Sequence, residues 1–438
     1  MTDCARGSQP LQVKGRTVTD VLDELQWRGL IAQHTDLDAL RAALGQGPIT
    51  FYCGFDPTGA SLHHGHLVAV KVMRHLQLAG HRPLALVGGA TGLIGDPSGR
   101  NTERTLNNKG VVASWAQALQ GQLENLLDFQ GENAARIVNN LDWTAQLSTI
   151  DFLRDIGRHF RLGTMLAKDV VARRLAGEEG ISFTEFSYQI LQANDYLELY
   201  RRYGCTLEVG GNDQWGNLVG GMDLIHKVEG ASVHIMTNPL ITKADGTKFG
   251  KTAGGAVWLN PEMLSPYAFY QFWLQTDDAD VIRFLKVFTF LGREEIEHLE
   301  QVTAANPKSR EAQRVLAQEV TTWVHGADAL EQAQAATAAL WGRGELSELS
   351  EQTLAAATAS LPTTDLVVGE STIVDLLVGA GLERGRNAAR KTVAAGGAYL
   401  NNVKVTDEDR PVDAGDLLAG GMILVRKGRR NLAVARRS

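Results

Sequence analysis

The sequence predicts an α/β protein: a doubly wound parallel sheet first, then an all-α segment, then a small α+β unit. Three observations carry that expectation. From residue 49 to about 241, short apolar runs alternate with stretches of helical periodicity, the pattern of βα units on a parallel sheet. From 261 to about 340 the strand signals stop and helical periodicity continues alone. Past Ser371, two short helices give way to closely spaced short strands.

Taken in order, residues 1–15 read as a loose polar leader. Within 16–260 the expected strands are 49–53, 84–88, 136–139, 206–209 and 233–236, each followed by a turn rich in Gly, Asn or Pro. Ligands of open α/β sheets sit outside the carboxyl ends of the strands. The turns 54–59, 89–99, 139–142, 210–215 and 237–252 are therefore where a site is expected. Within 261–343, helices are expected to start at Asn260-Pro261 and Asn306-Pro307, because proline suits the first helical position. An Ala/Gln/Glu/Ser-rich stretch makes 344–370 a linker. In 371–438, Gly396-Gly397 leads into strands 398–400 and 403–405 joined by an Asn401-Asn402 hairpin turn, then a last strand at 422–426.

Composition narrows the class. With 44% hydrophobic and 21% charged residues in 438, collagen, disorder and coiled-coil rods are excluded. No apolar run approaches the ~18 residues of a membrane span, and the N-terminus lacks the apolar core of a secretory signal. Cys4, Cys53 and Cys205 are too few and too scattered for a disulfide framework, and there is no C-x-x-C pair. The chain reads as cytoplasmic. Net charge is -7, but residues 370–438 hold 12 Lys/Arg against 8 Asp/Glu. The last thirteen residues carry six positive charges and no negative one (Arg426, Lys427, Arg429, Arg430, Arg436, Arg437). Such asymmetry points to a polyanionic partner, with a solubilising tail as the plainer alternative.

Four constellations carry chemistry. The first is Tyr52-Cys53-Gly54-Phe55-Asp56-Pro57-Thr58-Gly59 followed by His63-His64-Gly65-His66, a strand running through a turn into a helix. His63 and His66 share one face of a first helical turn, where free N–H groups favour phosphate. Gly65 leaves room for a flat base against the backbone. Clustered histidines also suggest metal, but no H-E-x-x-H or other ligand spacing accompanies them, so no protein-held metal is expected. The second is Lys248-Phe249-Gly250-Lys251-Thr252. Gly246 and Gly250 enclose three residues rather than four, which excludes a Walker A loop and leaves a loop with two lysines suited to neutralising phosphates. The Gly-rich turn 88–95 lacks G-x-G-x-x-G, which disfavours a dinucleotide site. The third is a helix over 184–203 whose Tyr188, Gln192 and Asp195 form a polar stripe. It fits a small ligand bearing an amine and a hydroxyl, or simply faces water. The fourth is Gly210-Gly211-Asn212-Asp213-Gln214-Trp215-Gly216, with Asn212 a helix-cap candidate and Asp213 an acceptor for a ribose hydroxyl.

Together these motifs resemble the HIGH and KMSKS signatures of class I aminoacyl-tRNA synthetases, in order and on the right elements. The strings 52–58, 184–192 and 210–216 make the chain similar to the bacterial tyrosyl-tRNA synthetases from about residue 22 to its end. Two features depart from the common pattern: the second signature reads KFGKT, a form that occurs in this family, and Arg100 stands after Asp96-Pro97-Ser98-Gly99 where lysine is common.

The resemblance implies a Rossmann-like catalytic domain, a helical anticodon-reading domain and a C-terminal RNA-binding domain. It implies that ATP, with magnesium, activates tyrosine for transfer to tRNA(Tyr), and that the chain forms a homodimer. Tyr52 and Asp195 would bond the substrate phenol. Tyr188, Gln192 and Asp96 would hold its ammonium group, with Gln214 near its carboxylate. Asp213 and Gly211 would bind ribose, with Gly65 under adenine and Asp56 on the ATP side. Thr58, His63 and His66 would meet the phosphates, Lys248, Lys251, Arg100 and Arg104 would close over the pyrophosphate, and Thr252 would bind ATP beside them. Three rivals are distinguishable. A small nucleotidyltransferase would lack KFGKT and the basic end, a tryptophanyl-type enzyme would not pair Tyr52 with Asp195, and a non-catalytic RNA-binding paralogue would tend to lose His63, His66 or Lys251.

Overall fold

The computed structural model describes residues 20–98, 107–247, 249–252 and 255–437, with 251–252 described by their backbone only. The leader expected at 1–15 lies outside the described residues, as do Arg100, Arg104 and Lys248. The chain divides into two compact units, 1–263 with 276–316, and 264–275 with 317–438.

The first unit is built on a sheet of β1 (Gln33–His34), β2 (Thr50–Phe55), β3 (Arg82–Val87), β4 (Arg136–Asn139), β5 (Cys205–Gly211) and β6 (His234–Asn238), in the order β1-β6-β5-β2-β3-β4. All pairs are parallel except β1 with β6. The five expected strands all form, most of them shifted by one or two residues at their ends, and the one expected at 206–209 runs three residues longer. The short β1 had no apolar pattern to announce it, since both of its residues are exposed. After β4 the chain returns to the other side of β2. The strand order therefore reverses between β2 and β5, and their carboxyl ends open the crevice where such folds bind ligands. Tyr52 lies beside Glu208 across that junction.

Two helices pack over the crevice strands. Phe183–Tyr203 starts at Ser182, whose hydroxyl accepts from the Glu185 N–H, and stops at Gly204 in the left-handed conformation. Trp215–Glu229 stops in the same way at Gly230. Asn212 does not cap that helix. Its side-chain oxygen instead accepts from Gln33 Nε2 and Thr237 Oγ1, tying β1 and β6 to the loop after β5.

The helical segment expected at 261–343 is divided between the units. Asp278–Phe288 belongs to the first, where the Arg28 guanidinium donates to the carbonyl of Lys286 in its last turn and to those of Thr289 and Leu291 beyond its end. Pro261 sits in a turn, and the helix begins instead at Pro266, behind the Ser265 cap. Pro307 starts a single 3₁₀ turn. In both cases proline is compatible with a first helical position, but the residues after it decide whether a helix follows.

In the second unit the stretch expected as a linker is folded. It supplies the helix Glu351–Thr358 and β9 (Thr363–Leu366). With β10 (Ala398–Leu400), β11 (Val403–Lys404), β12 (Met422–Lys427) and β13 (Asn431–Arg437), β9 makes a sheet in the order β11-β10-β12-β13-β9. Asn401 and Asn402 both have positive φ, 48° and 67°, as a tight hairpin turn requires. Strand β12 is apolar on both faces because both are covered. Ile423 and Val425 pack with Ile373, Leu377 and Val393, while Met422 and Leu424 pack with Leu340 and Leu354. The short strands at Lys251–Thr252 and Gly255–Ala256, in the first unit, pair antiparallel as β7 and β8.

Candidate active site

The inner part of the crevice is a chain of hydrogen bonds. Tyr188 Oη donates to Asp56 Oδ2 at 2.7 Å, and Thr91 Oγ1 donates to Asp56 Oδ1 at 2.6 Å. Asn140 Nδ2 bridges Thr91 Oγ1 and Asp195 Oδ2, both at 2.9 Å, while its own oxygen accepts from the Ala90 N–H. Trp143 Nε1 donates to Asp195 Oδ1 at 2.8 Å. Asp195 is only 2% exposed, and burial pushes its carboxyl up to about 7 even against the two N–H donors that favour its charge. Beside it the buried Tyr52 hydroxyl faces the Glu208 carboxyl, and Gln192 Nε2 lies 3.5 Å from Glu208 Oε1. At the mouth, Gln214 Nε2 donates to Asp96 Oδ2 at 2.6 Å. The helical stripe therefore faces the crevice rather than water.

The outer part is the start of the helix His64–Leu78. His63 is its cap: His63 Nδ1 accepts from the Gly65 N–H at 3.1 Å, and His66 Nδ1 accepts from the His63 N–H at 3.0 Å. The rings stack with centroids 4.0 Å apart. An imidazole that accepts at Nδ1 carries its proton on Nε2, so both rings become neutral Nε2–H donors. Burial lowers the affinity of both for a second proton, that of His66 well below the usual histidine range. A Cβ on Gly65 would stand 2.9 Å from His63 Cε1, so the absent side chain is what lets the capping ring lie down.

His64, between them, points the other way. Its Nε2 is 3.0 Å from the Phe249 carbonyl oxygen, and Gly250, at φ 83°, lies so close that a Cβ there would fall inside the ring. Phe249 is buried against Phe284 and Phe288. The His64 N–H donates to the Val257 carbonyl, and the Leu259 N–H donates to the Leu62 carbonyl. The two signatures, nearly 190 residues apart in sequence, are thus bound edge to edge. Lys251 begins directly after that anchored glycine.

Residues 44–342 match the family model described as tRNA synthetases class I (W and Y), and residues 353–435 match the tyrosine–tRNA ligase SYY-like C-terminal domain. The tyrosine–tRNA ligase of Streptomyces griseus is 60% identical over 418 residues, 95% of this chain and 98% of that protein. The one of Acidothermus cellulolyticus is 58% identical over 96% of this chain and all of its own length. The chain belongs to the class I tyrosine–tRNA ligases. Among solved structures, a C-terminally truncated Aspergillus nidulans mitochondrial tyrosyl-tRNA synthetase superposes with a TM-score of 0.66 at 30% identity, over 72% of this chain and 92% of that one. A tryptophanyl-tRNA synthetase from Encephalitozoon cuniculi, at 13% identity and TM-score 0.53, shares the fold alone.

Within this ligase fold the structure brings Tyr52, Asp56, Asp96, Tyr188, Gln192, Asp195 and Gln214 to one crevice, with Gly211 ending β5, Asp213 in the turn that follows it, and Thr58, His63, Gly65 and His66 after β2. Of Lys251 and Thr252 only the backbone is described. Sequence reasoning missed Thr91, Asn140, Trp143, Glu208 and His64. Asn140 lies in a turn already marked for inspection, and His64 stands inside the first signature, so both could have been found there. Trp143 and Glu208 look like ordinary core and strand residues, and no local pattern separates them.

Proposed function

We propose that the chain activates L-tyrosine with ATP to tyrosyl-adenylate and pyrophosphate, then transfers the tyrosyl group to the 3′-terminal adenosine of tRNA(Tyr). The observation that carries this is Asp195, buried at the closed end of the crevice beside Tyr52, where a phenol is the complementary group. Tyr52 and Asp195 bond the phenol. Tyr188, Gln192 and Asp96 take the ammonium group, and Gln214 lies by the carboxylate. Asp213 and Gly211 hold ribose, with Gly65 under adenine and Asp56 between the two substrates.

The tyrosine carboxylate is already ionised near neutral pH, so its attack on the α-phosphorus needs no general base. The work is alignment and stabilisation of charge on the transferring group. Neutral Nε2–H donors on His63 and His66 suit that, because they bond phosphate oxygens without titrating. Thr58, Lys248, Lys251, Thr252, Arg100 and Arg104 complete the phosphate side in this reading. Magnesium would enter with ATP, supplying positive charge on the phosphate oxygens. The deciding experiment is ATP–pyrophosphate exchange with each of the twenty amino acids: tyrosine alone should support it, and exchange with tryptophan but not tyrosine would overturn the reading.

For the tRNA, the structure sorts the basic C-terminal residues. Arg426 is buried over the Tyr399 ring, and Lys427 is paired with Glu383, so neither suits phosphate. Arg429, Arg430, Arg436 and Arg437 are exposed on β13 and the turn before it. Neutralising these four should lower the salt dependence of tRNA binding, by roughly 0.7–0.9 in log K per log salt for each lost contact, without altering tyrosine activation. An unchanged slope would reduce them to a solubilising edge.

We also propose a homodimer working in the cytoplasm. Ile150, Leu153, Leu162 and Phe183 are more than half exposed, an apolar load that a second copy would cover, and light scattering should return twice the chain mass.

A further inference from the structure

Glu208 takes no part in the chemistry above, yet it lies in the floor of the same crevice. It is 2% exposed on β5, in register beside Tyr52 of β2. Gln192 Nε2 reaches its Oε1 at 3.5 Å, and the buried Tyr52 hydroxyl faces the same carboxyl. The Trp215–Glu229 helix covers it with Gly221, where a Cβ would stand 3.4 Å from Glu208 Oε2, and β6 sets the apolar Ile235 against it. The titratable groups around it are Tyr52 and Cys53 of β2, Asp195 and Tyr196 of the Phe183–Tyr203 helix, and Cys205 of its own strand. None of these is a cation.

Two buried carboxyls thus share one pocket in unequal surroundings. Asp195 receives full N–H hydrogen bonds from Trp143 and Asn140, which favour its charged form, while Glu208 has the long contact from Gln192 and the Tyr52 hydroxyl, a group that can accept as well as donate. The better-solvated partner ionises first and the other keeps its proton. Burial pushes Glu208 up to about 8, with nearby Asp195 adding to the rise.

We propose that Glu208 is a positioning residue that works as a neutral carboxylic acid, donating to the Tyr52 hydroxyl oxygen so that the Tyr52 O–H is turned toward the substrate phenol. This rests on the reading that Tyr52 and Asp195 hold the phenol. The hydrogen bonds then run one way, from Glu208 to Tyr52, from Tyr52 to the phenol oxygen, and from the phenol O–H to Asp195. Once Glu208 ionises it accepts the Tyr52 proton instead, and the phenol loses a donor.

The test is the ratio of the tyrosine KM at pH 9 to that at pH 7, from pyrophosphate exchange with the full-length protein, for the parent, Glu208→Gln and Tyr52→Phe. In the parent the ratio should exceed that of Glu208→Gln by about 2- to 12-fold, the worth of one neutral hydrogen bond, with kcat at saturating tyrosine little changed by pH. The glutamine amide still donates to Tyr52 and accepts from Gln192 but has nothing to titrate. Any rise common to both belongs to the substrate's own ammonium group. Tyr52→Phe should also lose the excess, since the effect runs through that hydroxyl. Equal ratios in the parent and Glu208→Gln overturn the inference, as does a parental ratio in Tyr52→Phe. If Tyr52→Phe and Asp195→Ala both keep the parental KM at pH 7, the pocket assignment fails and takes this inference with it.

Discussion

The inner pocket and the outer signature segment solve opposite problems with the same lever. In the pocket, burial holds carboxyl groups toward their neutral form: Asp195 is raised to about 7 and Glu208 to about 8. At the helix start, burial holds imidazoles toward theirs, lowering His63 and His66. The pocket fixes its groups through long-range contacts among β2, the turns after β3 and β4, and one helix. The helix start fixes its two rings within four residues, by capping. A selective pocket must bring unlike groups from distant elements, whereas a phosphate site can be assembled from one helix end.

The contrast gives outcomes that separate binding from chemistry. The largest effect is expected on the outer side. Lys251→Ala should slow adenylate formation by on the order of 3 kcal/mol while leaving the tyrosine dissociation constant nearly unchanged, since the loss falls in the transition state. Single-turnover kinetics with equilibrium dialysis would check it, and a variant that lost tyrosine affinity but kept its rate would erase the distinction between the regions.

Asp195→Ala should weaken tyrosine use by about 1.5–3 kcal/mol, a hydrogen bond to a charged group, and also leave Trp143 Nε1 and an Asn140 N–H unpaired. Its kcat/KM for tyrosine reports the first loss and its thermal midpoint the second. Tyr52→Phe should cost less, about 0.5–1.5 kcal/mol in kcat/KM, because it removes a neutral donor from a pocket that otherwise stays intact.

The smallest expected effect is in pH. Because the folded affinities of His63 and His66 for a proton are lowered, the folded state binds fewer protons than the unfolded one around pH 6.5. The stability these rings contribute is present above the unfolded histidine pKa and is lost as pH falls through the depressed values. Protonating Nδ1 also breaks the cap. Measured at saturating tyrosine, so that the titration of Asp195 near 7 falls on KM, the adenylation rate should therefore stay level across pH 6.5, with any imidazole limb below the ordinary histidine range. A limb centred at 6.5 would mean that these rings titrate like solvated ones, and the comparison would lose its outer half.

The C-terminal sheet shows how far local pattern reaches. The Asn-Asn turn and strand β10 were legible because a tight turn needs residues that accept positive φ, and few do. Strands β9 and β13 were not. The sequence of β9 is Thr-Thr-Asp-Leu, which carries little apolar signal, and it becomes a strand by pairing parallel to β13. The arginines around β12 and β13 read as one basic tail, but strand geometry buries Arg426 and exposes Arg436 and Arg437.

By itself, then, the sequence determined what depends on neighbours along the chain. The βα alternation follows from periodicity, and the helix start at His63 to His66 from spacing. The polar stripe of Tyr188, Gln192 and Asp195 follows from the helical repeat. Only the tertiary structure decided what depends on meeting across the fold. It placed Asn140 and Trp143 on Asp195, seated Gly250 against His64, and set Glu208 beside Tyr52. The physical reason is that a hydrogen bond or a desolvated charge is a property of two groups and the space around them. Residues far apart in the chain acquire that property only when strands β2 to β5 close the crevice around them.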